Sequence, residues 1–282
     1  RGNIIMELVM FSIPIVLGEL FQNLYNSVDT LVVGNFVGKN ALAAVSVCAT
    51  LANLLVGFFN GMSVGSSVVV SRAFGSRDKE RLNRSMRVAF GFSVVLGVIL
   101  SVLGIFLTPV LVGLAAVPGE VYPEAVTYLR IYLAGLMFTV IYNISAGILR
   151  AVGGSGTPFR ILVVTSMVNI VLDLVFVVVV PLGVAGVGFA TIFSQFVSVV
   201  LAYKKLGKIN EEFRLDVKEA FRNREIVSEV AAIGMPSGLQ SALISFSNLF
   251  VWRYVNGFGA TAAAGVGVAQ RLDKFIVLPC KA

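Results

Sequence analysis

The sequence contains no histidine, and only 13% of its 282 residues are charged. The lack of histidine excludes His-based metal sites, Ser-His catalytic triads and imidazole proton relays. The two cysteines, Cys48 and Cys280, lie in apolar runs and form neither a disulfide framework nor a zinc-binding pattern. A soluble domain usually carries about 25% charged residues, so this composition is not that of an ordinary soluble protein.

Hydrophobic residues make up 57% of the chain. A soluble fold of this length cannot bury so much apolar surface, which predicts an all-α integral membrane protein. Eight apolar segments come near the roughly 20 residues that a membrane-spanning helix needs. These predicted helices 1 to 8 cover approximately 8–33, 45–70, 88–112, 125–149, 159–180, 184–203, 226–250 and 262–279.

The net charge of +7 is concentrated in the loops between the apolar segments. The largest basic loops are SRAFGSRDKERLNRSMR after predicted helix 2 and KKLGKINEEFRLDVKEAFRNRE after predicted helix 6. The positive-inside rule places these loops and the N-terminus in the cytoplasm. We interpret these charges as the signal that orients the protein in the lipid bilayer, rather than as a binding site for lipid or nucleic acid. We expect no nucleic-acid partner.

After the long basic loop, the sequence repeats features of its own N-terminal region. IIMELVMFSIP (4–14) matches IVSEVAAIGMP (226–236), and GNFVGKNALAAV (34–45) is similar to NGFGATAAAGV (256–266). Parallel repeats of this kind occur in transporters whose site lies between two halves. We therefore predict a six-helix unit over 1–207, a basic cytoplasmic linker over 208–225, and two helices of a second, incomplete unit over 226–282.

Predicted helix 1 carries polar residues that a lipid-facing helix would not tolerate. Glu19, Gln22, Asn26 and Asp29 follow the spacing i, i+3, i+7, i+10, which places them on one helical face. Ionisable residues in spanning helices cost about 2.5–3.5 kcal/mol on insertion scales. This face is therefore predicted to meet a polar cavity or other helices.

Predicted helices 5 and 6 carry further polar faces. Their members are Thr165, Ser166, Asn169 and Asp173 in helix 5, and Thr191, Ser194, Gln195 and Ser198 in helix 6. If the three faces meet, either a shared proton or a bound cation must relieve the repulsion between two carboxylates. An all-oxygen ligand set suits a hard cation such as Na⁺ rather than a transition metal.

Not every polar residue in these helices predicts function. Serine and threonine hydroxyls commonly only hydrogen-bond neighbouring helices. Asp29 and Asp173 favour a functional reading, because helix contacts seldom require a carboxylate. For Glu19 two readings stay open, a place on the substrate path or one near an interface. The tyrosines, including Tyr25, Tyr132 and Tyr142, are interpreted mostly as core or interfacial residues, with an aromatic lining for organic cations as the alternative.

Several motifs in order resemble those of the MATE transporters, the multidrug and toxic compound extrusion family. They are IPIVLGELFQNLYNSVDTLVVGNFVGKNALAAV (13–45), SRAFGSRD after predicted helix 2, LRAVGGSGTP (149–158), NIVLD (169–173), GVAGVGFATIFSQ (183–195), and IGMPSGLQ and AQRLDKF in the second unit. The resemblance implies a family of twelve-helix proteins whose two six-helix lobes form a V-shaped cavity. This chain would hold the N-terminal lobe and helices 7 and 8.

The resemblance also implies roles for individual residues. Asp29, Asn169, Asp173 and Thr191 match the family's cation-coupling residues and would be the ligands if the ion is Na⁺. In another branch of the family, a glutamate helps to form a cation site in the C-terminal lobe. Ile244 occupies the matching position here, which favours cation coupling in the N-terminal lobe. We add substrate-cavity candidates from the polar faces and the aromatic residues: Glu19, Gln22, Asn26, Tyr142, Ser194 and Gln195.

The expected function is secondary active efflux of cationic drugs or other organic compounds in exchange for H⁺ or Na⁺, with no other cofactor. We expect a monomeric multi-pass protein of the plasma membrane, a bacterial inner membrane by the resemblance. The alternatives are a lipid or lipid-linked oligosaccharide flippase and a non-transporting membrane scaffold. An enzyme is the weakest reading, because no nucleophile, metal or phosphate motif accompanies the carboxylates.

Overall fold

A computed structural model of the chain describes residues 4–115, 117–209 and 217–257, together with Val266 and Ala269. The described part is helical and contains no strand, so the predicted all-α class is confirmed. The α-helices are α1 (Ile4–Val32), α2 (Lys39–Gly75), α3 (Lys79–Leu114), α4 (Tyr122–Ala134), α5 (Leu136–Ala151), α6 (Gly156–Leu174), α7 (Val184–Ile209), α8 (Val217–Arg222) and α9 (Arg224–Gly257). Two π-helical turns, Val33–Val37 and Val175–Val179, follow α1 and α6.

Five described helices are long and apolar enough to cross a membrane, and the bent pair of α4 and α5 provides a sixth. The five are α2, α3, α6 with its π turn, α7 and α9. The 29-residue α1 is not among them, and it carries three carboxylates, Glu7, Glu19 and Asp29. Predicted helices 1 to 7 thus all appear as helices. Predicted helix 8 (262–279) lies outside the described residues apart from Val266 and Ala269.

The prediction of one continuous helix over 125–149 is wrong, because the span breaks at Gly135 and bends by 46°. A side chain at Gly135 would collide with Ile192 of α7, so glycine lets the two spans approach closely at this point. The break frees the backbone N–H of Met137, which donates to the Ser101 hydroxyl of α3 at 2.9 Å. The neighbouring helix thus replaces the hydrogen bond that the bend removes, as lipid-embedded backbone requires.

The bent span of α4 and α5 lies at the centre of the first unit. α5 packs against α2, α3 and α7, and α4 packs against α2, α3 and α7. Its fully buried apolar side chains include Leu129, Leu133, Leu136, Ile144 and Ile148. On α3, by contrast, large apolar side chains lie on the outside of the bundle: Phe106 is 77% exposed and Val110 is 56% exposed. An apolar exterior around a packed centre is the arrangement that a bilayer favours.

The helices define two ends of the bundle. The basic end carries the α2–α3 turn, the end of α5, and the start of α9. It also carries the short helix α8, which lies within the predicted linker and packs against α3. The opposite end carries both π-helical turns, which contact each other.

Candidate functional site

The candidate site lies where α1 packs against α6. Asp173 of α6 is completely buried, and Asp29 of α1 is half-buried. The two carboxyl groups lie within hydrogen-bonding range of each other, so a proton on one can be shared with the other. The structure therefore brings together the two carboxylates that the sequence singled out.

No donor neutralises this pair within the described part of the chain. Asp29 Oδ1 and both carboxyl oxygens of Asp173 are buried and have no hydrogen-bond partner there. Buried charges are normally paired or bound to an ion, since taking a lone carboxylate out of water costs several kcal/mol. The two acidic groups therefore lie close together without a compensating positive charge among the described residues.

Further buried amide and hydroxyl groups lie on α6 and on α7, which packs against α6. Asn169 precedes Asp173 by one turn, and both its side-chain polar atoms are buried without a partner in the described chain. Thr191 donates its hydroxyl hydrogen to the Val187 carbonyl at 3.0 Å, which leaves its oxygen free to accept. On the next turn of α7, Gln195 Oε1 is also buried and unpartnered in the described structure.

The polar side chains of these helices carry two carboxylates together with neutral amide and hydroxyl oxygens. Among the described residues, no group of three or more histidine, cysteine or carboxylate side chains could hold a metal ion. Two carboxylates with neutral oxygens instead fit a proton or one hard monovalent cation. The orphaned oxygens of Asp29, Asn169 and Asp173 agree with the predicted set, whose role remains a prediction.

Three tyrosines border the carboxylate pair, and sequence reasoning did not assign them there. Tyr25 of α1 lies within electrostatic range of both Asp29 and Asp173. Tyr128 of α4 lies within that range of Asp29, and it stacks on Tyr132 with ring centroids 6.3 Å apart. A signal was available for one of them, since Tyr25 precedes Asp29 by one helical turn.

A π-helical turn follows each carboxylate. Val33–Val37 begins four residues after Asp29, and Val175–Val179 begins two residues after Asp173. The first turn ends at Gly38, whose φ of 125° favours glycine and whose N–H bonds to the Val33 carbonyl at 3.2 Å. π-Helical turns occur frequently at functional sites, and here the two turns touch beside the pair.

Two predicted cavity residues lie away from the carboxylates. The Tyr142 hydroxyl donates to the Pro158 carbonyl at 3.1 Å, and Pro158 precedes Asp173 by about 22 Å along α6. Glu19 is exposed and lies about 15 Å along α1 from Asp29. It lies within electrostatic range of Arg150 near the basic end. These side chains therefore do not belong to the cation-binding cluster.

The remaining predicted residues have more local roles. Gln22 and Asn26 are exposed on α1, which is compatible with lining a cavity. Ser194 is buried and donates to the Thr191 carbonyl at 2.8 Å. On α1, three other polar side chains donate to the carbonyl one turn earlier: Asn23, Ser27 and Thr30.

Comparison with known proteins gives relatives over the full length of the chain. The chain is 31% identical over 286 residues to the probable multidrug resistance protein YpnP of Bacillus subtilis, covering 100% of this chain and 63% of that protein. It is 29% identical over 277 residues to the probable multidrug resistance protein YoeA of the same organism, covering 96% of this chain and 60% of that protein.

A solved structure shows the same fold. The chain matches a MOP superfamily transporter from Pyrococcus furiosus with a TM-score of 0.86 and 29% identity, covering 99% of this chain and 62% of that one. The chain spans less than two thirds of the length of each of these proteins. The matches and the apolar helices together establish a multi-pass membrane protein.

The sequence model of the MatE family matches residues 14–175. This range contains α1 from Pro14 onward and the whole of α6, and with them both carboxylates of the candidate site. The chain belongs to the MatE family, the family of MATE transporters.

Proposed function

We propose that the protein belongs to an efflux transporter that exchanges organic cations for H⁺ or Na⁺. The observation that carries this proposal is the contact between Asp29 and Asp173, whose buried oxygens find no donor in the described structure. Such a pair holds one positive charge well and two negative charges poorly. Exchange follows if the coupling ion and a cationic substrate compete for that negative charge.

The proposed cycle uses the pair as a switch. When the cavity opens outward, H⁺ or Na⁺ reaches Asp29 and Asp173 and neutralises them, with the Asn169 and Thr191 oxygens as further ligands. Neutralisation weakens the attraction for the organic cation, which leaves. After reorientation the coupling ion is released inward, and the restored negative charge attracts the next substrate.

The energy available matches this task. One charge moving across 100 mV supplies about 2.3 kcal/mol, and each unit of pH difference adds about 1.4 kcal/mol. Tyr25, Tyr128 and Tyr132 supply aromatic faces beside the pair, and such faces attract organic cations. The substrate class is thus inferred from negative charge next to aromatic surface.

For orientation, we infer from the positive-inside rule that the basic end and the N-terminus face the cytoplasm. The π-helical turns then lie toward the outer side. The ion would enter from that side and leave toward the basic end, in the plasma membrane. We also propose that the transporter works as a monomer.

The flippase alternative predicts a different charge pattern. A cavity for anionic headgroups should be lined by arginine or lysine, whereas the charged groups of the candidate site are the carboxylates of Asp29 and Asp173. A scaffold has no need of a buried, donor-free carboxylate pair. The acidic charge of the site and the carboxylate pair without a donor therefore both favour cation exchange over these two alternatives.

The proposal is tested by ethidium efflux from preloaded bacterial cells that lack their own multidrug exporters. The cells express the longest natural chain that contains this sequence, with an empty vector as reference. We expect ethidium to leave several times faster than in the reference and to be retained after an uncoupler and a sodium ionophore are added together. Efflux at the reference rate, with folded protein in the membrane, would contradict the proposal.

A further inference from the structure

A second feature lies at the basic end, where α9 of the second unit meets α2 and α3 of the first. Glu229 of α9 accepts Arg72 Nη1 on Oε1 at 3.2 Å and Arg81 Nη2 on Oε2 at 3.6 Å. A third pair joins Arg87 Nε of α3 to Glu219 Oε2 of α8 at 3.1 Å. All three pairs therefore connect the first unit to the segment that begins with α8.

These ion pairs surround a small apolar contact. Val69 of α2, Val88 of α3, and Ile226 and Val230 of α9 form a separate buried cluster. The Glu229 side chain is only 27% exposed. A dry apolar centre with a charged rim is the usual anatomy of an interface that can open. The Arg72 and Arg81 side chains are 64% and 54% exposed, so each pair contributes modestly.

Farther from the basic end than this cluster, the backbones of α2 and α9 are in close contact. A Cβ atom added to Gly238 would lie 2.7 Å from the Phe58 carbonyl oxygen, and one added to Gly234 would lie 3.0 Å from Met62 Cα. Gly61 of α2 directly faces Gly238. The contact extends to Gly57, which lies next to Ser241 and Ser245.

The outer part of α9 lacks comparable cover. Its described side chains beyond Ser245 include Val251 at 49% exposed and Tyr254 at 73% exposed. Within the described residues, the two units are thus joined most closely at the basic end. Any motion that separates the units at the basic end must break the bonds of Glu229.

We propose that Glu229 is a latch residue that joins the two units at the basic end and sets the balance between closed and separated forms. Arg72 of α2 and Arg81 of α3 bind the Glu229 carboxylate. The ion pair of Arg87 and Glu219 keeps α8 next to this contact. This role does not depend on which compound is transported, because none of these side chains belongs to the site of Asp29 and Asp173.

The test measures the distance between the units by double electron–electron resonance. Spin labels are attached at Lys79→Cys in α3 and Glu225→Cys in α9, two exposed positions that take part in no ion pair reported in the described structure. Cys48 and Cys280 are replaced by alanine. The protein is the longest natural chain that contains this sequence, in lipid nanodiscs.

We expect Glu229→Gln to raise the ratio of separated to closed forms by about two- to fivefold, the range for partly exposed ion pairs. The matched control is Glu80→Gln, which removes a glutamate bound to Arg84 within α3 alone. It should leave the ratio unchanged. An equal effect of both variants would overturn the latch.

A second comparison separates a latch from a folding defect. The double variant Arg72→Gln with Arg81→Gln should reproduce the shift of Glu229→Gln, and adding Glu229→Gln to it should change nothing further, since partners in one network are not additive. Shifts that simply add would show that Glu229 acts without these arginines, which contradicts the proposal.

Discussion

The half-buried Asp29 carboxyl of α1 lies beside the buried Asp173 carboxyl of α6, and in the described structure Asp29 Oδ1 and both Asp173 oxygens have no donor. Two like charges cannot be held there without a counter-ion. This contact connects the fold to the proposed activity, because it places a charge-dependent switch at the packing surface between two helices. The predictions below test the pair, its ligands and the packing that holds them.

Removing the charge of Asp173 should abolish coupling without unfolding the protein. In Asp173→Asn the pair no longer needs a cation, so gradient-driven ethidium efflux should fall at least tenfold. Initial rates in cells expressing equal amounts of protein measure this effect. Glu120→Gln, which alters an exposed loop carboxylate, is the control and should transport normally.

Thr191 should affect the affinity for the coupling ion. Thr191→Val keeps the shape but removes an oxygen, and losing one hydrogen bond or ligand to a charged group costs about tenfold or more in affinity. The concentration of H⁺ or Na⁺ that gives half-maximal efflux should rise accordingly, with the maximal rate retained. Thr108→Val alters a hydroxyl that bonds to the Gly104 carbonyl in α3, and it should leave this concentration unchanged.

The backbone contact between α2 and α9 should depend on glycine. Gly61→Ala forces a methyl group into the Gly238 backbone, and overpacking of this kind costs about 1–3 kcal/mol. Thermal unfolding in detergent should therefore occur roughly 3–10 °C lower. Gly113→Ala, with nothing within 4 Å of the added carbon, should not lower it. An equal loss in both variants would argue against the close approach.

The bend at Gly135 should depend on Ser101. Ser101→Ala removes the acceptor for the Met137 N–H, and an unsatisfied buried donor costs about 1–3 kcal/mol. We expect a lower unfolding temperature and faster hydrogen exchange at the Met137 amide. Thr127→Ala removes an exposed hydroxyl that bonds to the Pro123 carbonyl of its own helix, and it should change neither quantity.

The sequence predicted the helices well because long apolar runs separated by charged loops leave few alternatives in a bilayer. It did not predict the break at Gly135, since a glycine within an apolar run has no hydropathy signal and the collision with Ile192 exists only in the folded bundle. The π-helical turns were not predicted either, because they also have no hydropathy signal. Their valines are as apolar as the helices that precede them.

At the site, the spacing of Asn169 and Asp173 and the polar face of α1 predicted the right helices. The structure then separated residues that share a face, placing Asp29 in the cluster and leaving Glu19 about 15 Å away along α1. Tyr128 was not predicted, because an aromatic residue in an apolar run is usually core. Its position within electrostatic range of Asp29 arises only in the folded bundle.

The central claim, that the pair of Asp29 and Asp173 exchanges an organic cation for H⁺ or Na⁺, is tested most directly in everted membrane vesicles. Proton and sodium gradients are imposed separately on vesicles containing the longest natural chain with this sequence, either unaltered or with Asp29→Asn. Ethidium transport driven by one of the two gradients in the unaltered protein, and lost in the folded variant, is the predicted result. Gradient-driven transport that persists in Asp29→Asn would contradict the account.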